Sequence, residues 1–239
     1  MSMTATTILG VGFAATGYQI ISTVNARLGL LEGVDDWLQS DVLKWVTGVL
    51  LVGFVLGVEE RSLASIGVRP PAELPIVGGV VPNLGGPPVV GHLGAGLGWS
   101  VVAFVGIFVT TIGVYQLYER FGFETPEGFA DKQASRGAAG YWITAVSAGV
   151  VESLLYQGYL ITRVAELSGS IALAAVFAWG AFTAVHGIGD IFGVAETVYI
   201  GVPAAGATLL YVACESVVVV CFVHFVLNIL SFAKSRSQA

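Results

Sequence analysis

Long runs without charge alternate along this chain with short breaks of charged, Gly or Pro residues. The pattern predicts membrane helices near 6–24, 42–58, 98–117, 138–163, 170–187, 195–212 and 216–232. Each run approaches the ~20 apolar residues that a helix needs to cross a hydrocarbon core. Between the second and third runs, the stretch 72–96 holds Pro75, Pro82, Pro87 and Pro88 among many glycines. It reads as a long loop, and its histidine, His92, as an ordinary loop residue. The expected fold is all-α, a polytopic transmembrane helix bundle of about seven spans. The chain divides into an N-terminal helical part (1–137), a C-terminal helix bundle (138–232) and a short polar tail (233–239). No internal repeat and no soluble domain is evident.

Composition strengthens this picture. Of 239 residues, 55% are hydrophobic and only 11% charged, with a mean hydropathy of +0.83. Counted with Gly and without Tyr, roughly 65% of the chain is apolar, against ~45–50% in a soluble domain. One globule cannot bury that excess, so a soluble protein is excluded. The net charge of −6, with 10 Lys and Arg, argues against a nucleic-acid partner, which demands clustered cations. Cys214 and Cys221 lie in apolar sequence and read as small buried hydrophobes, with no disulfide framework. Met1-Ser2-Met3-Thr4 lacks a basic leader, so the first apolar run is expected to be a retained helix. With seven spans, Arg61, Arg69 and Arg163 fall on one side. Arg27, Lys44, Arg120, Lys132, Arg136, Lys234 and Arg236 fall on the other. The second side is expected to be cytoplasmic, which puts the C-terminus inside, in a cell membrane.

Ionisable groups inside spans are costly and usually functional. Asp41 and Lys44 read as membrane-edge residues of the second helix. The last four helices differ, for they carry Glu152, His186, His224 and Asn228, with Glu196 and Glu215 in first-turn or capping positions. Each has a structural reading alone: a protonated Glu, a packed His, or His and Asn bonding across helices. His224 and Asn228 are spaced i,i+4 and share a face. Comparing depths places Glu152 near mid-membrane and the other three between there and the basic side. All four can line one pocket. A carboxylate and imidazoles can take a proton from water, and neutral donors can hold an oxyanion, as peptide hydrolysis requires.

Other chemistries fit less well. A retinal Schiff base needs a lysine deep in a helix. Gly187-Ile188-Gly189-Asp190 matches the GxGD pattern of presenilin-type proteases, but no second intramembrane Asp completes a dyad. The HExxH zinc motif is absent, and four separately placed ligands are weak evidence for a metal. A transporter using Glu152 and the histidines as a proton relay is a further alternative.

The segment Glu152-Ser153-Leu154-Leu155-Tyr156-Gln157-Gly158-Tyr159-Leu160 resembles the EExxxR motif, often EELLFRGYL, of the CPBP family. These are the CAAX-processing and bacteriocin-processing intramembrane proteases, also called the Abi family. Phe182-Thr183-Ala184-Val185-His186 is similar to the family's FxxxH. His224-Phe225-Val226-Leu227-Asn228 is similar to its HxxxN. Order and spacing fit over roughly 138–232. Glu59-Glu60-Arg61-Ser62-Leu63-Ala64-Ser65-Ile66-Gly67-Val68 also looks like the family's stretch after an early helix.

The resemblance implies an intramembrane endopeptidase acting on a membrane-associated peptide or protein, with no metal or other cofactor. Glu152 would activate water, helped by His186, while His224 and Asn228 stabilise the oxyanion. Ser153, Gln157, Tyr156 and Phe182 would support the substrate or the site. Two positions depart from the family: its second Glu is Ser153 here and its Arg is Gln157. An i,i+4 ion pair has become two neutral residues, which preserves charge balance and suggests a Ser153–Gln157 hydrogen bond in its place. The same departure supports the alternative of a non-enzymatic relative, a membrane scaffold or immunity-type binding protein.

Overall fold

The computed structural model describes residues 3–72, 88–122, 137–187 and 194–238. Over these residues the chain is all helical, with seven helices and no strand. They are α1 (Met3–Leu28), α2 (Asp36–Gly57), α3 (Pro88–Arg120), α4 (Gly137–Ser168), α5 (Ile171–Gly187), α6 (Val194–Cys214) and α7 (Val217–Gln238). Four contain windows long and apolar enough to cross a membrane, namely Met3–Leu28, Asp36–Gly57, Gly94–Val114 and Gly137–Ser168. The apolar stretches Ile171–His186, Ile200–Cys214 and Val217–Leu230 are shorter. The outward faces are apolar, with Val49, Val101, Val109, Val176 and Leu209 all exposed, as a lipid-facing surface requires.

The bundle is built around α4. Its span is 61% buried, whereas the other three are 11–33% buried. Its backbone also changes register: Gly137–Ser147 is α-helical, Ala148–Leu160 is π-helical, and Ile161–Ser168 returns to α. A π-helix bonds i to i+5, is rare, and frequently occurs at functional sites. Small residues let the neighbouring helices come close. A Cβ added at Gly149 would stand 3.1 Å from the Cys221 carbonyl oxygen and from Phe225 Cβ, so this glycine sets the α4–α7 approach. A Cβ at Gly48 would stand 3.2 Å from Val151 Cγ1, which sets the α2–α4 approach.

After α2, residues 59–72 form a strap over one end of the bundle. A short 3₁₀ turn, Leu63–Ile66, ends at left-handed Gly67. Val217 N–H donates to Gly67 O at 2.8 Å, Ala72 N–H to Cys214 O at 2.8 Å, and Ser216 Oγ to Arg69 O at 2.6 Å. Beneath the strap, Arg163 is fully buried. Its guanidinium donates to Glu59 Oε2 from Nη2 at 2.7 Å, to Ser65 Oγ at 2.8 Å and to Glu166 Oε1 at 3.0 Å. Tyr159 Oη donates to the other oxygen of Glu59 at 2.7 Å. A buried charge is tolerated when paired and hydrogen-bonded in this way.

Several sequence expectations change. α3 begins at Pro88, so the end of the expected 72–96 loop is helical and His92 belongs to a helix. Proline is suited to the first helical position, and helix satisfies backbone groups that an irregular segment would leave unpaired in lipid. Residues 73–87 lie outside the described residues, as do Lys132, Arg136, residues 188–190 of the GxGD match and the side chains of His92, Glu196, Lys234 and Arg236.

α2 begins at Asp36, not 42. Acidic residues suit a helix N-terminus, so their charge does not bound the span. Lys44 is therefore two turns inside a 22-residue helix, and Asp41 is buried, accepting a 2.7 Å bond from Thr144 Oγ1. Both lie inside the helix and face the bundle rather than capping its end. Glu215 adopts left-handed backbone ahead of α7. Its carboxylate pairs with Arg69 Nη2 at 2.5 Å, across to the strap.

Candidate active site

Three helices bring side chains toward Glu152. It lies in the π-helical part of α4 and is 6% exposed. From α5, His186 places Nε2 at 3.6 Å from Glu152 Oε2. From α7, His224 places Nε2 at 4.0 Å from the same oxygen. From α2, the Lys44 ammonium meets the other oxygen, Oε1, at 2.7 Å. The two carboxylate oxygens thus face different neighbours, a cation on one side and two imidazoles on the other.

The imidazoles are oriented by their far nitrogens. His186 Nδ1 is 2.8 Å from Phe182 O, one turn earlier on α5. A carbonyl only accepts, so Nδ1 carries the proton and Nε2 of the neutral ring is an acceptor. His224 Nδ1 is 3.3 Å from Ser153 Oγ. Aromatic packing fixes the ring planes. Phe182 tilts over His186 with centroids 4.4 Å apart and meets His224 edge-on at 6.1 Å. Tyr156 closes this cluster, T-shaped against Phe182 at 5.2 Å.

The structure therefore gathers Glu152, His186, His224, Ser153, Phe182 and Tyr156. Asn228 is half-buried, four residues after His224 on α7, and makes no hydrogen bond among the described residues. Gln157 is buried, but its Oε1 has no hydrogen-bond partner among the described residues. The suggested Ser153–Gln157 bond does not form, because Ser153 turns to His224 instead.

Residues 135–230 match the family model described as Type II CAAX prenyl endopeptidase Rce1-like. Over this segment, which is less than half of the chain, the protein is similar to the CPBP family. No curated protein and no solved structure matches the chain. The matched segment supplies Glu152, His186 and His224, but Lys44 comes from α2, outside the matched residues.

Lys44 is the residue that sequence reasoning missed. It belongs to a polar stripe on α2 that runs along α4. Asp41 receives Thr144, Lys44 meets Glu152, Trp45 Nε1 donates to Ser147 Oγ at 2.9 Å, and Gly48 admits Val151. The i, i+3, i+4, i+7 spacing of Asp41, Lys44, Trp45 and Gly48 was the available signal. Spacing alone could not say which helix that face meets. Among the described residues, no group of three or more His, Cys, Asp and Glu is arranged to hold a metal ion.

Proposed function

We propose that the chain is an intramembrane endopeptidase that cleaves a membrane-associated peptide or protein with water activated by Glu152. The observation that carries this reading is the space between Glu152 and His186. Glu152 Oε2 accepts, and His186 Nε2 accepts whenever the ring is neutral; the two atoms are 3.6 Å apart. Two facing acceptors call for a donor between them, and one water molecule supplies both hydrogens.

In the proposed reaction Glu152 removes a proton from that water, and the oxygen attacks the scissile carbonyl carbon. The tetrahedral oxyanion is held by donors on α7, His224 and Asn228. The proton then passes to the leaving amine, directly or through His186. The C–N bond breaks, leaving a new carboxyl group and a new amine. The CPBP family model over residues 135–230 supports peptide-bond hydrolysis as the reaction class. We further place the protein in a cell membrane with its C-terminus on the cytoplasmic side.

A second reading keeps the fold and drops the chemistry. Ser153 and Gln157 are neutral where the family's first motif has charge, which favours a scaffold or immunity-type binding protein. One experiment separates the two. Purified protein in liposomes is given a library of membrane-tethered peptides in ¹⁸O-water, and products are read by mass spectrometry. Cleavage by wild type, with ¹⁸O in the new carboxyl group and loss of products in Glu152→Gln, supports the protease. Equal inertness of both proteins removes it.

A further inference from the structure

The matched family segment accounts for one side of the Glu152 carboxylate and leaves the other unexplained. The cation expected in the first motif is absent, since Gln157 occupies its position. Glu152 instead finds a cation on another helix. Lys44 Nζ stands 2.7 Å from Oε1, with the lysine side chain 19% and the glutamate side chain 8% exposed. The contact is not incidental to a flexible chain. Asp41–Thr144 and Trp45–Ser147 hydrogen bonds brace the same face of α2 on either side of Lys44. Gly48 lets the helices approach closely enough for the lysine to reach.

We propose that Lys44 is a positioning residue supplied from outside the family segment, pinning Glu152 Oε1 so that Oε2 faces His186 and His224. Removing one partner of a buried ion pair leaves an uncompensated charge, whereas removing both does not. With Oε1 held, the carboxylate cannot turn, and its free oxygen stays on the histidine side. The catalytic part of this inference rests on the proteolytic reading, but the pairing does not. It makes α2, which lies outside the family match, part of the working site.

The test is a double-mutant cycle on the full-length protein in lipid nanodiscs, with Lys44→Met, Glu152→Gln and the double variant. Each single change is expected to lower Tm by several degrees, and the double variant to recover most of the loss. Additive losses would overturn the pairing, whether or not the protein is a protease. Turnover is then compared for wild type, Lys44→Met and Lys44→Arg on the cleaved peptide. Lys44→Met is expected to lose kcat by about tenfold to a hundredfold with KM little changed, as a misplaced catalytic group does. Lys44→Arg, which keeps the charge, is expected to restore much of it. A Lys44→Met variant as active as wild type, or more active, would overturn the positioning role, the latter outcome marking Lys44 as a latch on Glu152. If wild type and Glu152→Gln are both inert, proteolysis fails and the thermal cycle alone decides the pairing.

Discussion

His186 Nε2 and Glu152 Oε2 stand 3.6 Å apart across the interface of α5 and α4, while His186 Nδ1 is tied to the Phe182 carbonyl. Because that tie fixes the tautomer, the ring is expected to act through Nε2 alone. His186→Phe keeps the aromatic volume and removes this nitrogen. It is expected to cut kcat by about 10²–10⁴-fold, the usual contribution of a proton-transfer group, with little change in Tm. Steady-state kinetics and thermal unfolding together check this.

Ser153 offers a milder probe. Its Oγ touches His224 Nδ1 at 3.3 Å, a bond that orients the ring. A single hydrogen bond is worth about 1 kcal/mol, so Ser153→Ala is expected to lower kcat by about tenfold or less. Equal loss in Ser153→Ala and His224→Ala would show that the hydroxyl does more than orient the ring.

Gly149 controls how close α7 comes to the π-helical segment. A Cβ there would crowd the Cys221 carbonyl and Phe225. Gly149→Val is expected to push α7 outward, cost about 1–3 kcal/mol as overpacking does, and carry His224 away from Glu152. Activity should fall further than stability. Unchanged turnover in a folded Gly149→Val protein would show that the site tolerates a wider α4–α7 gap.

The buried Arg163–Glu59 pair predicts a purely structural defect. Glu59→Gln leaves the guanidinium with a neutral partner beneath the strap and is expected to destabilise the protein by about 3–5 kcal/mol. The folded fraction should retain its kcat, because this network lies apart from the Glu152 contacts. Thermal unfolding, with turnover normalised to folded protein, tests the separation.

Some of this was legible without coordinates. The charge-poor runs marked every helix, because lipid penalises each charge and each unpaired backbone group whatever the neighbouring helix does. Glu152, His186 and His224 stood out for the same reason, and their motif order pointed to one site. The helix starts at Asp36 and Pro88 were missed because charge and proline look like boundaries, although both are at home in a first helical turn.

What the sequence determined by itself was therefore the set of helices and the polar residues too costly to be idle. The tertiary structure alone decided which faces meet. It made the middle of α4 a π-helix and set Ser153 against His224 rather than Gln157. It also turned Lys44 from an apparent membrane-edge residue into the partner of Glu152. Both outcomes depend on helix rotation and close approach at small residues such as Gly48 and Gly149. Those are properties of pairs of helices, which the periodicity of one helix does not encode.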